Sequence, residues 1–344
     1  MTYKDADLYK MALILSYAEI ALQTGLSVDS IRGRVSRHGK HIGIRKSDGV
    51  PASIIELGTV PVLPKFNAVP YVDTDTVLVV GDVHIPATDW QFLELAIKFA
   101  EKHMRKGSRT LCIVGDLLNF DAMSRYPHIV VPVGATDELR AVNVILQYLF
   151  KTFDHIIYSM GNHDHRFHKF FSGAFGLIEL RALMTASIDA GKLRMVNQTQ
   201  QIVKHGNVIW RLTHQQNYSK IKGRVADALA TKHLSNVITH HEHHVNVSRD
   251  SYNRYTTINN GMIGDAEKMA YVQLVDSTSN VMCNGFSFIR NGTGHLLTPY
   301  PTMTDWDMWG LGAAALPAIG AAEARMRRLT QPNVLELDEE RKTA

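Results

Sequence analysis

The chain has 344 residues, a formal net charge of +4, 45% hydrophobic and 20% charged residues, the balance of an ordinary soluble protein with room for one large domain and something smaller. The mild positive charge permits an anionic partner without requiring one. No run of roughly 18 apolar residues is present to span a bilayer, MTYKDADLYKM does not read as a signal peptide, and Cys112 and Cys283 are too far apart for a zinc ribbon or disulfide framework, so a soluble cytoplasmic protein without a membrane partner is expected.

Residues 1–48 read as a small all-α module. Tyr17–Ser27 has the pattern of a helix and a tight turn, with Ala21 small where two helices would cross and Gly25 suited to the turn. Ser27 is a suitable N-cap for a second helix over Val28–Arg37, on which Val28, Ile31 and Val35 share one face. The spacing resembles a helix-turn-helix DNA-binding motif. Arg32, Arg34, Arg37, Lys40, Arg45 and Lys46 follow with no acid between them. Arginine can read guanine edges or bind phosphate, which makes Arg32, Arg34, Arg37 and Lys40 candidate nucleic-acid contacts. The competing reading is a helical module for protein contact.

Residues 49–73, with Pro51, Gly58, Pro61, Pro64 and Pro70, read as a linker. Over 74–300 a β-α rhythm begins. Strand Thr76–Val80 leads to helix Trp90–Arg105, strand Thr110–Val114 to helix Asp137–Phe153, and strand His155–Met160 to a loop. Strands follow near Lys192–Val203 and Val208–Thr213, then a basic helix near Ser219–His233 and strand Asn236–Thr239. Antiparallel strands are expected at Tyr255–Ile258, Ala270–Val275 and Val281–Arg290. This alternation predicts a largely parallel sheet joined by a second one. Residues 301–344, Ala-rich and then charged, read as a mobile tail.

Histidine is the outlier, at seventeen residues. The first three strands end in Gly81-Asp82-Val83-His84, Gly115-Asp116-Leu117-Leu118-Asn119 and Gly161-Asn162-His163-Asp164. Thr213-His214 and His240-His241-Glu242-His243-His244 end later ones. Sites on α/β scaffolds cluster at carboxyl ends of strands, and glycine before a ligand allows a sharp turn. The mixed N/O donor set suits Mn, Fe or Zn better than Ca or Mg.

The order GDxH, GDxxN, GNHD, H, HxH, from Thr76 to His243, resembles the calcineurin-like metallophosphoesterase superfamily. The resemblance implies a four-layer α/β/β/α sandwich and a dinuclear centre holding two divalent ions, Mn first, with Fe or Zn as alternatives. It implies that Asp82, His84 and His243 hold one ion, that Asn162, His214 and His241 hold the other, and that Asp116 bridges them. A metal-bridging hydroxide would attack in line, with His163 as general acid oriented by Asp164. His240, where the family usually has glycine, and His244 read as neighbours of the ligands. Protein phosphatases of the superfamily carry Asp-Arg-Gly after the second motif and an arginine before the third. Here those positions hold Asn119-Phe120 and Met160. Without arginines to hold a phosphate dianion, the expectation shifts to phosphodiesters, and with the N-terminal module to a DNA-acting nuclease, similar in style to phosphoesterases encoded by bacteriophages and then acting in the host cytoplasm. Arg166, Lys220, Lys222 and Arg224 flank the site as further candidate nucleic-acid contacts. The alternatives are a phosphomonoesterase or protein phosphatase that docks through its N-terminal module, and a DNA-binding regulator with a vestigial site.

Overall fold

The structure, a computed structural model, describes residues 3–12, 15, 17–41, 68–126, 128, 130–274, 281–300 and 304–330. Arg45, Lys46, residues 49–67 of the expected linker and residues 331–344 of the expected tail lie outside them. The chain divides into two compact units, Met1–Phe66 and Asn67–Ala344.

Among its described residues the first unit has three helices, α1 (Asp5–Met11), α2 (Tyr17–Thr24) and α3 (Val28–His41). Leu8, Ile20 and Ile31, one from each helix, are fully buried against one another. Gly25 takes a left-handed φ of 70° in the turn after α2, and Ser27 Oγ accepts from Ser30 N–H at 3.2 Å, capping α3. Ala21 and Val35 pack on this core.

The second unit is built on two six-stranded sheets. In one, β2 (Thr76–Val80), β3 (Thr110–Val114), β4 (His155–Ser159) and β5 (Leu193–Val196) run parallel, and β11 (Phe286–Arg290) and β12 (Thr293–Leu297) add an antiparallel edge beside β2. The other is mixed and joins β1 (Tyr71–Asp73), β6 (Gln200–His205), β7 (Val208–Thr213), β8 (Asn236–Thr239), β10 (Thr256–Asn260) and β9 (Val245–Arg249) in that order.

Strand periodicity assigns the two faces of the first sheet. Leu78, Val80, Leu111, Ile113, Ile156 and Tyr158 enter a core with the helices. Their sequence neighbours Val77, Val79, Cys112, Val114 and Ile157 instead meet Val203, Trp210, Leu212, Ile238 and Ile258 of the second sheet. Both faces are therefore apolar, as a sheet buried on two sides requires. The helical layer includes α4 (Trp90–His103), α5 (Ala135–Thr152), α6 (His165–Phe170) and α7 (Leu177–Met184). Asp89 caps α4 by accepting from Phe92 N–H at 3.1 Å, and α5 buries Glu138, Val142, Leu146 and Leu149 along one stripe. On the far side α8 (Arg224–His233) lays Ala226 and Ala230 on β8 and β10. The layers run α/β/β/α, as the motif order implied.

Several local expectations change. Tyr71–Asp73, placed in the linker, is a strand that pairs in parallel with β6. Ala270–Val275, expected as a strand, begins as the short helix α9 (Ala270–Gln273), following a turn in which the Asp265 side chain accepts from Glu267 N–H; residues 275–280 lie outside the described ones. The strand expected over Val281–Arg290 starts only at Phe286, because Asn284 turns its amide onto the carbonyls of Met262 and Gly264.

The tail expectation is corrected for residues 312–330, which form helix α10 (Gly312–Thr330). Ala315, Ala318, Ile319 and Ala322 fall three and four residues apart and are buried, so the alanines supply close approach to the core. The preceding turn is tied down by His103, which pairs with Trp309 O at 2.6 Å, and by Lys102, which donates to Gly310 O.

Candidate metal centre

The polar clusters meet at the carboxyl ends of five strands. Asp82 and His84 follow β2, Asp116 follows β3, Asn162, His163 and Asp164 follow β4, His214 follows β7, and His241 and His243 follow β8. Five of them have left-handed backbones, with φ of 49° at Asp82, 51° at His84, 48° at Asp116, 74° at His241 and 54° at His243. A non-glycine residue there costs about 1–3 kcal/mol, and such residues collect where function requires the geometry. The glycines ahead of the clusters serve close approach. A Cβ on Gly161 would overlap Asp116 Oδ1, and one on Gly81 would overlap the His240 ring.

Ligand atoms of Asp82, His84 and His243 lie within 4.8 Å of one another, as do those of Asp116, His214 and His241. Asp116 and His84 also share a cluster with His163, so Asp116 adjoins both groups. His84 Nε2 stands 3.2 Å from His243 Nε2, and His214 Nε2 is 2.8 Å from Asn162 Oδ1 and 3.3 Å from Asp116 Oδ2. Asp116 Oδ2 and His84 Nδ1 are buried with no hydrogen-bond partner, a cost folded proteins avoid without a compensating ligand.

Electrostatics support the same fit. Burial pushes the Asp82 and Asp116 carboxyls up, but His214, with His243 beside Asp82 and His163 beside Asp116, overrides this and holds both below the usual range. Burial lowers His214, yet Asp116 and Asp82 outweigh it and carry it up to about 9. Burial takes His84 down to about 3 and His241 down to about 4. The pocket thus draws positive charge into a buried N/O donor set, which suits divalent metal ions.

Asp164 does not orient His163. Its carboxylate accepts from the backbone N–H groups of Gly161 at 2.7 Å, Asp116 at 2.8 Å and Leu118 at 3.1 Å. It therefore locks the second and third motif loops together, and it is left-over loop amides that claim its oxygens. His163 is set by Asn119 O, 2.9 Å from its Nδ1, and its Nε2 faces Arg166 at 3.1 Å.

Arg166, expected to contact nucleic acid, points into the site. It donates to Asn119 O at 2.9 Å and pairs with Asp121 at 2.6 Å. Lys220, Lys222 and Arg224 are exposed around the start of α8. In the N-terminal unit Arg34 is turned inward, paired with Asp5 at 2.6 Å and bonded to Tyr3 O, which removes it from the candidate nucleic-acid contacts. Arg32 is exposed and pairs with Asp29 at 3.2 Å, and Arg37 is exposed. The Lys40 side chain lies outside the described residues.

His240 supports the centre from behind. The Asn260 amide nitrogen lies 3.5 Å from His240 Nε2 and can only donate, which places the imidazole proton on Nδ1, 3.4 Å from Asp82 Oδ2. His241 N–H donates to the same oxygen at 2.9 Å. Asp82 Oδ1 is left facing His243, His214 and His84 at 3.1, 3.6 and 3.8 Å. His240→Ala is expected to weaken Mn²⁺ binding about 10–100-fold, the usual effect of losing a group that orients a ligand. Calorimetric titration checks this, and unchanged affinity in a folded variant would refute it. The sequence signal was present, since His240 adjoins the HxH pair, but its direction was not.

A family profile described as calcineurin-like phosphoesterase matches residues 76–273. No curated protein matches the chain. Among solved structures, Vps29 of Chaetomium thermophilum is 14% identical with a TM-score of 0.36, covering 62% of this chain and 84% of its own. Vps29 of Entamoeba histolytica complexed with Zn²⁺ is 18% identical with a TM-score of 0.30, over 62% and 84%. A conserved Streptococcus pneumoniae protein described as a predicted phosphoesterase is 13% identical with a TM-score of 0.31, over 65% and 89%.

Proposed function

The chain belongs to the calcineurin-like phosphoesterase family, a metal-dependent phosphoester hydrolase by its fold class and clustered Asp/His donors, and from that premise we propose that it cleaves phosphodiesters of nucleic acid, DNA first. One observation carries the diester preference. Among the described residues lining the cavity at the centre, Arg166 alone is a guanidinium or ammonium group, and it is already paired with Asp121. Met160 is fully buried in the helix-side core, so nothing from that position reaches a phosphate. A dianionic monoester would find little to hold its second charge, whereas a diester carries one.

Two divalent ions, Mn²⁺ preferred, supply Lewis-acid polarisation and a more acidic water when bound. Asp82, His84 and His243 would hold one, Asn162, His214 and His241 the other, with Asp116 between them. His163 then hands a proton from Nε2 to the leaving oxygen. Burial lowers its pKa to about 4, with Asp116 opposing and Arg166 reinforcing the shift, so the resting ring is neutral. With Nη1 kept on Asp121, Arg166 turns only Nη2 from His163 Nε2 to an arriving phosphate oxygen, and the freed Nε2 takes up a proton from solvent beside that anion before donating it to the leaving oxygen.

The DNA assignment is supported by exposed Arg32 and Arg37 on α3 and by Lys220, Lys222 and Arg224. It is tested on the Mn²⁺-loaded full chain with a simple diester, the matching monoester and labelled DNA. The diester should be favoured in kcat/KM by at least about tenfold, which is about 1.4 kcal/mol. DNA affinity should fall with salt, and Arg32→Ala with Arg37→Ala should flatten the log–log slope by about 0.9 per lost phosphate contact. A monoester preference would return the chain to the phosphatase reading, and salt-independent binding would remove DNA as partner.

A further inference from the structure

The cavity beside the metal centre has a volume of about 560 Å³, within the roughly 300–1,000 Å³ of sites that enclose whole organic ligands. A phosphate at the donor cluster leaves most of it unfilled. The larger part of the remaining wall is apolar or aromatic and comes from separate parts of the chain: Tyr126, Val130 and Pro132 from the segment ahead of α5, Tyr218 before α8, Tyr271 on α9, and Met282. The tyrosines are not core residues, being 79%, 45% and 39% exposed at Tyr126, Tyr218 and Tyr271. The same wall offers little to a second anion, since Asp121 and Glu242 line it and Arg166 is committed to Asp121.

Resting on the phosphodiesterase reading for its reaction, we infer that this cavity is a subsite for one unpaired nucleobase attached to the scissile phosphate, stacked on the phenol rings of Tyr218 and Tyr271. A nucleobase is planar, uncharged and large enough to use the wall, and base–aromatic stacking tolerates any base. A base inside a duplex cannot reach such a cavity without leaving the stack. The substrate is therefore single-stranded, or locally opened, nucleic acid.

The test uses the full chain loaded with Mn²⁺. On a His163→Ala background, which slows turnover, calorimetry compares a 5′-mononucleotide with ribose 5-phosphate. The mononucleotide should bind about 5- to 100-fold more tightly. Tyr218→Ala and Tyr271→Ala should each erase at least about fivefold of that preference while leaving ribose 5-phosphate affinity unchanged. Equal affinity for the two ligands overturns the subsite, and so do variants that weaken both ligands alike, since that marks a structural role. With the wild-type chain, a dinucleotide should be cleaved faster than its abasic counterpart, and a single strand faster than the same sequence in a duplex. Cleavage indifferent to the base overturns the subsite and leaves the phosphodiesterase reading standing. Base-selective binding with no cleavage of any diester does the reverse.

Discussion

Asp116→Ala is expected to strip the chain of divalent metal and to lower phosphodiester turnover by at least about 10³-fold. Removing one charge-stabilising group from an active site costs about 10²–10³ in kcat, and here metal is lost as well. Asp116 is buried beside both ligand groups, with Oδ2 3.3 Å from His214 Nε2 and without a hydrogen-bond partner. Its other oxygen accepts from His163 N–H at 2.8 Å, so the substitution also frees one end of the third motif. Asp116→Asn is the informative companion, because it retains shape and that hydrogen bond but removes the charge. Both variants should show low metal content by elemental analysis, at concentrations where the unsubstituted chain is loaded. A folded Asp116→Ala protein with full metal content and turnover would sink the dinuclear centre.

The second large effect separates proton transfer from metal binding. His163→Ala should keep its metal yet lose about 10²–10⁴-fold in rate on a substrate with a poor leaving group, the contribution of a positioned general acid. The ring is placed for this by Asn119 O at Nδ1, which leaves Nε2 for the leaving oxygen once Arg166 moves. With nitrophenolate as leaving group the loss should nearly vanish, because that oxygen departs without a proton. A uniform loss on both substrates, or a parallel loss of metal, would instead identify His163 as a ligand, which its place beside His84 and Asp116 makes a fair rival. Paired measurements of metal content and of rate against leaving-group pKa decide between the two.

What the sequence determined by itself was local. Apolar runs ending in Gly-Asp or Gly-Asn-His marked the strands and the residues at their carboxyl ends, because strand burial and the turn after it are written in neighbouring residues. Gly25 and Ser27 placed the turn and cap before α3 for the same reason. Side-chain direction was not local. Nothing in Gly161-Asn162-His163-Asp164 says that Asp164 turns back to hold three amides of two loops while His163 faces Arg166. Arg34 looks like one more base in a basic helix until Asp5 and Tyr3 close on it. The alanines of 312–330 read as a tail until their spacing meets the helix-side core. The aromatic cavity required Tyr126, Tyr218, Tyr271 and Met282 to converge from distant parts of the chain. Such convergence depends on how two sheets stack and where their loops end, and packing over long sequence separations decides it because no short stretch of residues contains both partners.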